Sequence, residues 1–388
     1  MTGCQTCNPA IVRLNGSRPA SAAPDPADPW QVASGKIPAS FPPSCLSMLP
    51  SNDKRPRTVV LLQYTGIGDL IWHIQYFKAI AEQSQGGQVT VVAQPSTLAR
   101  AFIGKESWVE AVIDHDHRPR RGEKRQGRHA GLLGMWRMAQ QLKQGRFDRI
   151  VLFSGRISRG LVAGLSGIPV RIGFGYKPLQ RIFLNQGPFV RPYQGPSVAA
   201  YHEASELMVK HGFCAQPIVP RLEVPDDQLQ AMQQRLAGLP RPLCAFAIGT
   251  SETHKQWGIK PFAELARRLI ERGAGVVLLG GPAEVQLAKD IEALVPPSAR
   301  HGLAVLTDAP VLGSAAALKL ADVCVGNDTG MVNVAAAVAT PTFVLIGHRR
   351  TLAHDPGHLF NVQAETLAAV TVEQVLELVS KAAPKVVA

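Results

Sequence analysis

Ala321-Asp322-Val323-Cys324-Val325-Gly326-Asn327-Asp328-Thr329-Gly330-Met331-Val332-Asn333-Val334-Ala335-Ala336-Ala337 reads as a buried strand, a glycine turn carrying a carboxylate and a hydroxyl, and a helix of small residues. Strand, turn and helix in that order are the unit of an open α/β sheet. Ligands bind such sheets beyond the carboxyl ends of the strands, where first-turn N–H groups face an anion. Asp328 and Thr329 have a second reading, as plain helix caps. The remainder of the chain has to decide between the two.

Outward from that stretch the same alternation recurs. Thr58–Leu62, Gln88–Ala93, Ala111–Asp114 and Phe147–Phe153 read as strands, with helices over Leu70–Gln83 and Leu132–Gln144. The proline-marked segment Pro217–Pro225 separates this series from a second one. There Leu243–Ile248, Gly275–Leu279, Ala321–Val325 and Thr342–Ile346 read as strands. Asp226–Ala237, Lys260–Arg272, Glu284–Leu294, Leu312–Leu320 and Val372–Lys381 read as helices, the last capped by Thr371. Such alternation predicts parallel sheets built from βαβ units. Three parts are expected: a Pro/Ala-rich, poorly ordered extension over 1–56, an N-terminal domain over 57–222 and a C-terminal domain over 223–388. The last helix has the option of packing back on the N-terminal domain.

Composition narrows the class. A chain of 388 residues, 46% hydrophobic and 18% charged, suits two globular domains with sizeable cores. No apolar run is long enough to cross a bilayer. The N-terminus has Cys4, Cys7 and Arg13 without an apolar h-region, so no cleaved secretory signal is expected and a cytoplasmic location is. Six cysteines in so long a chain make no disulfide framework, and Cys4-x-x-Cys7 lacks the second pair of a structural zinc site. The net charge of +12 points to an anionic partner. Arg118, Arg120, Arg121, Lys124, Arg125 and Arg128 crowd one segment, opposed by Glu123. No RNA-binding aromatic pattern or zinc-finger spacing accompanies them, so no nucleic acid is expected. A nucleotide, a phosphorylated acceptor or an anionic membrane face fits equally well, as does a solvated loop.

Three strand-to-helix junctions carry polar groups. Tyr64-Thr65-Gly66-Ile67-Gly68-Asp69 superficially resembles a dinucleotide fingerprint, but Ile71 holds the third glycine position. Its two glycines instead make a tight turn that projects the Asp69 carboxylate at a helix start, where the dipole favours the ionised form. Ile248-Gly249-Thr250-Ser251-Glu252-Thr253-His254-Lys255-Gln256-Trp257 offers hydroxyls, N–H groups and a lysine after a strand, as a phosphate cradle does, without P-loop spacing. Trp257 itself reads as a packing aromatic. The third junction is Gly326–Ala337. His348, His354 and His358 lie in a Pro/Gly loop without tight ligand spacing.

Taken in order, these segments resemble glycosyltransferase family 9, the bacterial ADP-heptose:lipopolysaccharide heptosyltransferases and relatives. Thr58–Leu70, Arg171-Ile172-Gly173-Phe174, Lys255-Gln256-Trp257 with Pro261–Ala266, Val276–Glu284 and Gly326–Ala337 carry the likeness, over about residues 57–350. The resemblance implies two Rossmann-like doubly wound domains facing across a cleft, the GT-B arrangement. It also implies inverting, metal-independent sugar transfer without a cofactor, from a nucleotide diphosphate such as ADP-heptose. The acceptor would be an anionic glycan or lipid-linked acceptor, with peripheral contact at the inner membrane. Asp69 would be the general base, after the turn at Gly66 and Gly68. Lys255 and Thr250, with Ser251 beside them, would meet the departing diphosphate. Asp328 would hold sugar hydroxyls, and N–H groups near Thr329 and Gly330 the phosphates. The chain departs from its relatives at Gly258, Met331 and Asn333, and in Ile346-Gly347-His348-Arg349-Arg350, where Arg349 and Arg350 are alternative phosphate contacts. Donor choice stays open, as do a protein acceptor, a binding protein without activity, and a GT-B-shaped epimerase.

Overall fold

The computed structural model describes residues 11–13, 53–118, 125–250 and 252–382. Ser251, the Cys4/Cys7 pair, Arg120, Arg121, Glu123, Lys124 and most of the 1–56 extension lie outside the described residues. The chain forms two compact units. From Asp53 to Gln194, and again over Ala199–Ile218, it belongs to the first. Gly195–Val198 and the chain from Val219 onward belong to the second, together with a three-residue strand β1 (Ile11–Arg13).

The first unit runs β2 (Thr58–Leu62), α1 (Ile67–Glu82), β3 (Val89–Ala93), α2 (Ala99–Ile103), β4 (Val109–Asp114), α3 (Gly131–Gln144), β5 (Arg149–Phe153), α4 (Ile157–Leu165), β6 (Val170–Gly173), α5 (Pro178–Arg181) and α6 (Ala199–Lys210). Its strands pair in parallel in the order β4-β3-β2-β5-β6. Every residue of β2 and β3 is buried, as their largely apolar, β-branched runs suit strands covered on both faces. Leu61, Val92, Ile150 and Leu152 form one core with Met138 and Leu142 of α3 and Val162 of α4. Helix α1 is buried on most of its circumference, because α6 covers the flank turned away from the sheet. The two helices are joined by the Tyr76 hydroxyl and Ser205 Oγ at 2.6 Å and by the Tyr76 and Tyr201 rings at 6.2 Å.

The second unit runs α7 (Asp226–Arg235), β7 (Leu243–Ala247), α8 (Ile259–Glu271), β8 (Gly275–Leu279), α9 (Val285–Leu294), β9 (Leu303–Leu306), α10 (Val311–Leu320), β10 (Val323–Asn327), α11 (Gly330–Ala337), β11 (Thr342–Ile346), β12 (Leu359–Gln363) and α12 (Val372–Ala382). Its sheet is parallel in the order β1-β12-β11-β10-β7-β8-β9. Trp257 is a core residue, edge-on to Phe262 at 5.0 Å, with its indole N–H donating to Val370 O at 2.9 Å. Val375, Leu376 and Val379 build α12 into this same core beside α8, so the terminal helix packs within its own unit. Thr371 caps it: Oγ1 accepts the Gln374 N–H at 3.3 Å, and Gln374 Oε1 accepts the Thr371 N–H at 2.9 Å.

Both units are therefore doubly wound, each with its first long strand (β2 and β7) inside the sheet at the point where strand order reverses. Several boundaries differ from expectation. Helix α1 starts at Ile67, three residues before the expected Leu70, because the Gly-Ile-Gly-Asp turn is its first turn. The Gly-rich stretch after β5 holds α4 and β6. The short β9 and β12 were not expected, and four or five residues at a sheet's flank carry little periodic signal. Gly326 in β10 has no room for a side chain. A Cβ there would lie 2.6 Å from Ala247 Cβ and 2.8 Å from Val332 Cγ1. Gly326→Ala is expected to lower stability by about 1–3 kcal/mol, read as a shifted urea midpoint with an unchanged slope.

Candidate functional site

In the second unit the strand order reverses between β7 and β10, which lie side by side with β8 and β9 beyond one and β11 and β12 beyond the other. Turns leaving two such strands diverge and leave a crevice at their carboxyl ends. Asn327, the last residue of β10, is fully buried and ties the two turns together. Its Oδ1 accepts the Trp257 N–H at 3.0 Å, and its Nδ2 donates to Ile248 O and Gln256 Oε1, each at 2.7 Å. The segment from Ile248 to Trp257 is thereby held against the start of the β10–α11 turn.

This staple brings Lys255 to Asp328. Lys255 Nζ lies 3.4 Å from Asp328 Oδ2 and 3.1 Å from Glu252 Oε1. Arg349, from the turn after β11, reaches the same two carboxylates: Nη1 is 3.1 Å from Glu252 Oε2 and Nε 3.8 Å from Asp328 Oδ2. His254 Nε2 stands 3.1 Å from Glu252 Oε2 and 3.0 Å from Arg349 Nη1. Burial favours the neutral form of Glu252. The hydrogen bonds and charges of Lys255 and Arg349 outweigh it and leave the carboxyl below its usual range. Thr250 shapes the turn, with Oγ1 donating to Glu252 O at 3.2 Å and accepting the Glu252 N–H at 3.3 Å.

Thr329 is the residue before α11, in extended conformation, and its hydroxyl makes no capping hydrogen bond. Asp328 is engaged by Lys255. The Thr329 side chain thus takes up none of the first-turn N–H groups of α11. Met331 and Asn333 are buried, and Asn333 Nδ2 donates to Thr329 O at 2.9 Å, so these two candidates brace the turn from within. Farther along, Asp355 accepts from Arg221 Nη1 at 2.5 Å and lies 3.3 Å from His358 Nδ1. The histidine-bearing loop is thereby anchored to the segment that leads into α7.

The first unit reverses strand order between β2 and β5. Ser154 Oγ, after β5, donates to Gln63 Oε1, after β2. Gly66 precedes α1, and Asp69 Oδ2 accepts its N–H at 2.9 Å. A Cβ at position 66 would come to 3.0 Å from that oxygen, so glycine lets the carboxylate fold over the helix start. Gly68 is buried within the first turn. One turn later the His73 ring is enclosed by Tyr64, Phe77 and Phe153, with Nδ1 2.5 Å from Asp69 O.

Sequence reading missed Asn327, Glu252 and His73 as parts of these sites. A polar residue ending an otherwise apolar central strand was the available sign for Asn327, and an acid three residues before Lys255 that for Glu252. His73 has a further consequence. Burial lowers its pKa from 6.5 to about 4, partly opposed by the hydrogen bond to Asp69 O, so the folded protein holds it neutral. The unfolded chain takes up its proton first as pH falls. The associated stability is complete above about pH 6.5 and is lost on acidification towards pH 4, on the order of 3 kcal/mol. His73→Phe is expected to flatten the acid limb of a stability–pH profile between those values, measured by urea unfolding.

Comparisons with known proteins bear on both turns. The model of glycosyltransferase family 9 (heptosyltransferase) matches residues 135–361, more than half of the chain. The match includes Lys255 and Asp328 and begins after Asp69. Lipopolysaccharide heptosyltransferase 2 of Escherichia coli is 26% identical over 219 residues, 54% of this chain and 63% of the relative. The chain thus spans less than two thirds of that curated relative's length. Lipopolysaccharide heptosyltransferase 1 of Pseudomonas aeruginosa is 36% identical over 107 residues, 27% of this chain and 29% of that one. Among solved structures, E. coli ADP-heptose LPS heptosyltransferase II is similar with a TM-score of 0.66 at 19% identity, over 84% of this chain and 98% of that one. A family 9 glycosyltransferase from Veillonella parvula is similar with a TM-score of 0.70 at 17% identity, over 84% and 97%. These likenesses show the fold, and the family match over most of the second unit and part of the first assigns the chain. It belongs to glycosyltransferase family 9.

Proposed function

We propose that the protein is an inverting glycosyltransferase that moves a sugar from a nucleotide diphosphate to a bacterial glycan, working without a metal or cofactor. ADP-heptose is the proposed donor and a lipopolysaccharide-type glycan the proposed acceptor, after the relatives' names. The observation that carries this reading is Lys255 held beside Asp328 at the uncapped start of α11. When the anomeric C–O bond breaks, negative charge collects on the departing diphosphate. Lys255 and the helix start can take it up, and Arg349 adds a third positive group. Asp328 and Glu252 hold these cations in place and can accept hydrogen bonds from sugar hydroxyls.

Asp69 is the proposed base. The acceptor hydroxyl attacks the anomeric carbon from the face opposite the diphosphate, its proton passing to the carboxylate as the new C–O bond forms. The Gly66 N–H and the helix start favour the ionised form that this step needs. A lipid-linked acceptor places the enzyme at a membrane, in this reading the cytoplasmic face of the inner one. Among the described residues no helix is long and apolar enough to cross a bilayer. Leu132 is 78% exposed and Trp136 52%, at the start of α3 with Leu133, and the exposed Arg128 and Arg137 flank them. An exposed apolar patch flanked by two arginines supports shallow insertion into an anionic lipid surface.

Two measurements test this reading. Asp69→Asn keeps an acceptor for the Gly66 N–H while removing the base. It should cut transfer from ADP-heptose about 10²–10⁴-fold with donor affinity by calorimetry unchanged. Lys255→Ala should weaken donor binding and slow transfer together, and full activity in Asp69→Asn would overturn the assignment. For the membrane, co-sedimentation with phosphatidylglycerol-containing vesicles should fall in a Leu132→Ser/Leu133→Ser/Trp136→Ser variant. Equal sedimentation would exclude the α3 surface.

A further inference from the structure

The first unit contains a group of buried cationic and imidazole side chains that the reaction above does not use. Arg159, in the first turn of α4, is only 3% exposed. Its Nε has no hydrogen-bond partner, and no carboxylate pairs with its guanidinium among the described residues. His115, directly after β4, is 0% exposed with both ring nitrogens unpartnered, and His129, before α3, is buried with Nδ1 unpartnered. The His115 ring stands 4.7 Å from that of His117 and 5.8 Å from that of His129. Gln94, after β3, holds His117 Nε2 at 2.9 Å.

The charges around this group are lopsided. Arg159 acts on all three imidazoles, Arg156 and Arg118 act on His117, and Arg128 and Arg137 on His129. Among the described residues the carboxylate acting on them is Asp116, which is already taken by Arg125 Nη1 at 2.5 Å and the Arg128 N–H at 3.1 Å. Burial depresses the pKa of Arg159 to about 10, which leaves it charged at neutral pH, while burial keeps the imidazoles neutral. A buried guanidinium without a counter-charge is strongly destabilising, and each unmatched ring N–H adds a further cost. Water could satisfy the imidazoles but would leave the charge uncompensated. Depth is graded: Arg118 and Arg156 are exposed, His117 is half-buried, and His115 and Arg159 are buried.

We infer that Arg159, His115, His117 and His129 form an oxyanion site that receives a phosphoryl group carried by the acceptor, with Arg118 and Arg156 at its rim. A phosphomonoester suits the group better than a carboxylate, because three terminal oxygens can meet one guanidinium and several imidazole N–H donors together. The site lies at the carboxyl edge of the sheet that also carries Asp69, since β2, β3, β4 and β5 are parallel. The link to an acceptor rests on the transferase reading; the oxyanion site itself does not.

The test is thermal unfolding of the full chain with inorganic phosphate against sodium chloride of equal ionic strength. Phosphate should raise the wild-type midpoint, and the rise should persist in Lys255→Ala, which removes the proposed donor-phosphate contact. In Arg159→Met the affinity for phosphate should fall by about tenfold or more, while the ligand-free midpoint stays level or rises because a buried charge is gone. His115→Gln should weaken the phosphate response in the same direction. Glucose 6-phosphate should shift the wild type as phosphate does, and glucose should not. No phosphate response in the wild type, a full response in Arg159→Met, a lower ligand-free midpoint in that variant, or equal responses to glucose and glucose 6-phosphate would each overturn the site. An ADP titration of the same samples reads the donor unit separately, so failure of the transferase reading is distinguishable from failure of this one.

Discussion

The buried amide of Asn327 is the interaction on which the second unit's chemistry depends. Its donors and acceptor are all matched within one short segment, to Ile248, Gln256 and Trp257. In a low-dielectric interior a fully matched amide is rigid, whereas a partly matched one is costly, so this side chain admits one arrangement of the two turns. That arrangement places an ammonium group against a carboxylate at the mouth of a helix. Trp257 extends the constraint inward, because its backbone N–H meets Asn327 while its indole N–H meets Val370 next to the terminal helix. The polar edge and the apolar core of the unit are thereby locked to each other.

The two units hold a carboxylate at a strand-to-helix turn in different ways. Asp328 is matched by cations, Lys255 and Arg349, which an arriving diphosphate could draw away. Asp69 is matched by a backbone N–H and a helix start, which cannot move without unwinding α1. The first arrangement suits a group that exchanges partners on ligand binding. The second fixes the carboxylate to the backbone at the start of α1. The neutral His73 beneath Asp69 adds packing without adding a competing charge.

Much of this was legible in the chain. Thr58–Leu62, Gly275–Leu279 and Thr342–Ile346 have the boundaries their apolar and β-branched runs predict, because a strand buried on both faces takes apolar residues at most positions. The parallel, doubly wound class follows from the alternation of those runs with amphipathic helices such as Ile259–Glu271. Less legible were α4, β6, β9 and β12, which are short or glycine-rich and give no period to read. Helix α6 escaped notice for another reason: its place is set by contact with α1, more than a hundred residues earlier in the chain.

For the sites, the sequence by itself determined the residue types at the strand-to-helix turns and their order, since turn chemistry is local and a glycine or a capping acid acts over three or four residues. Tertiary structure decided which of them meet. The pairing of Lys255 with Asp328 spans more than seventy residues and exists because β7 and β10 are neighbours in the sheet. The same holds for Arg159 and the histidines after β4, which come together only in the fold and leave polar atoms unmatched there among the described residues. Burial and strand order are properties of the folded chain, and with them comes the difference between a solvated side chain and a functional one.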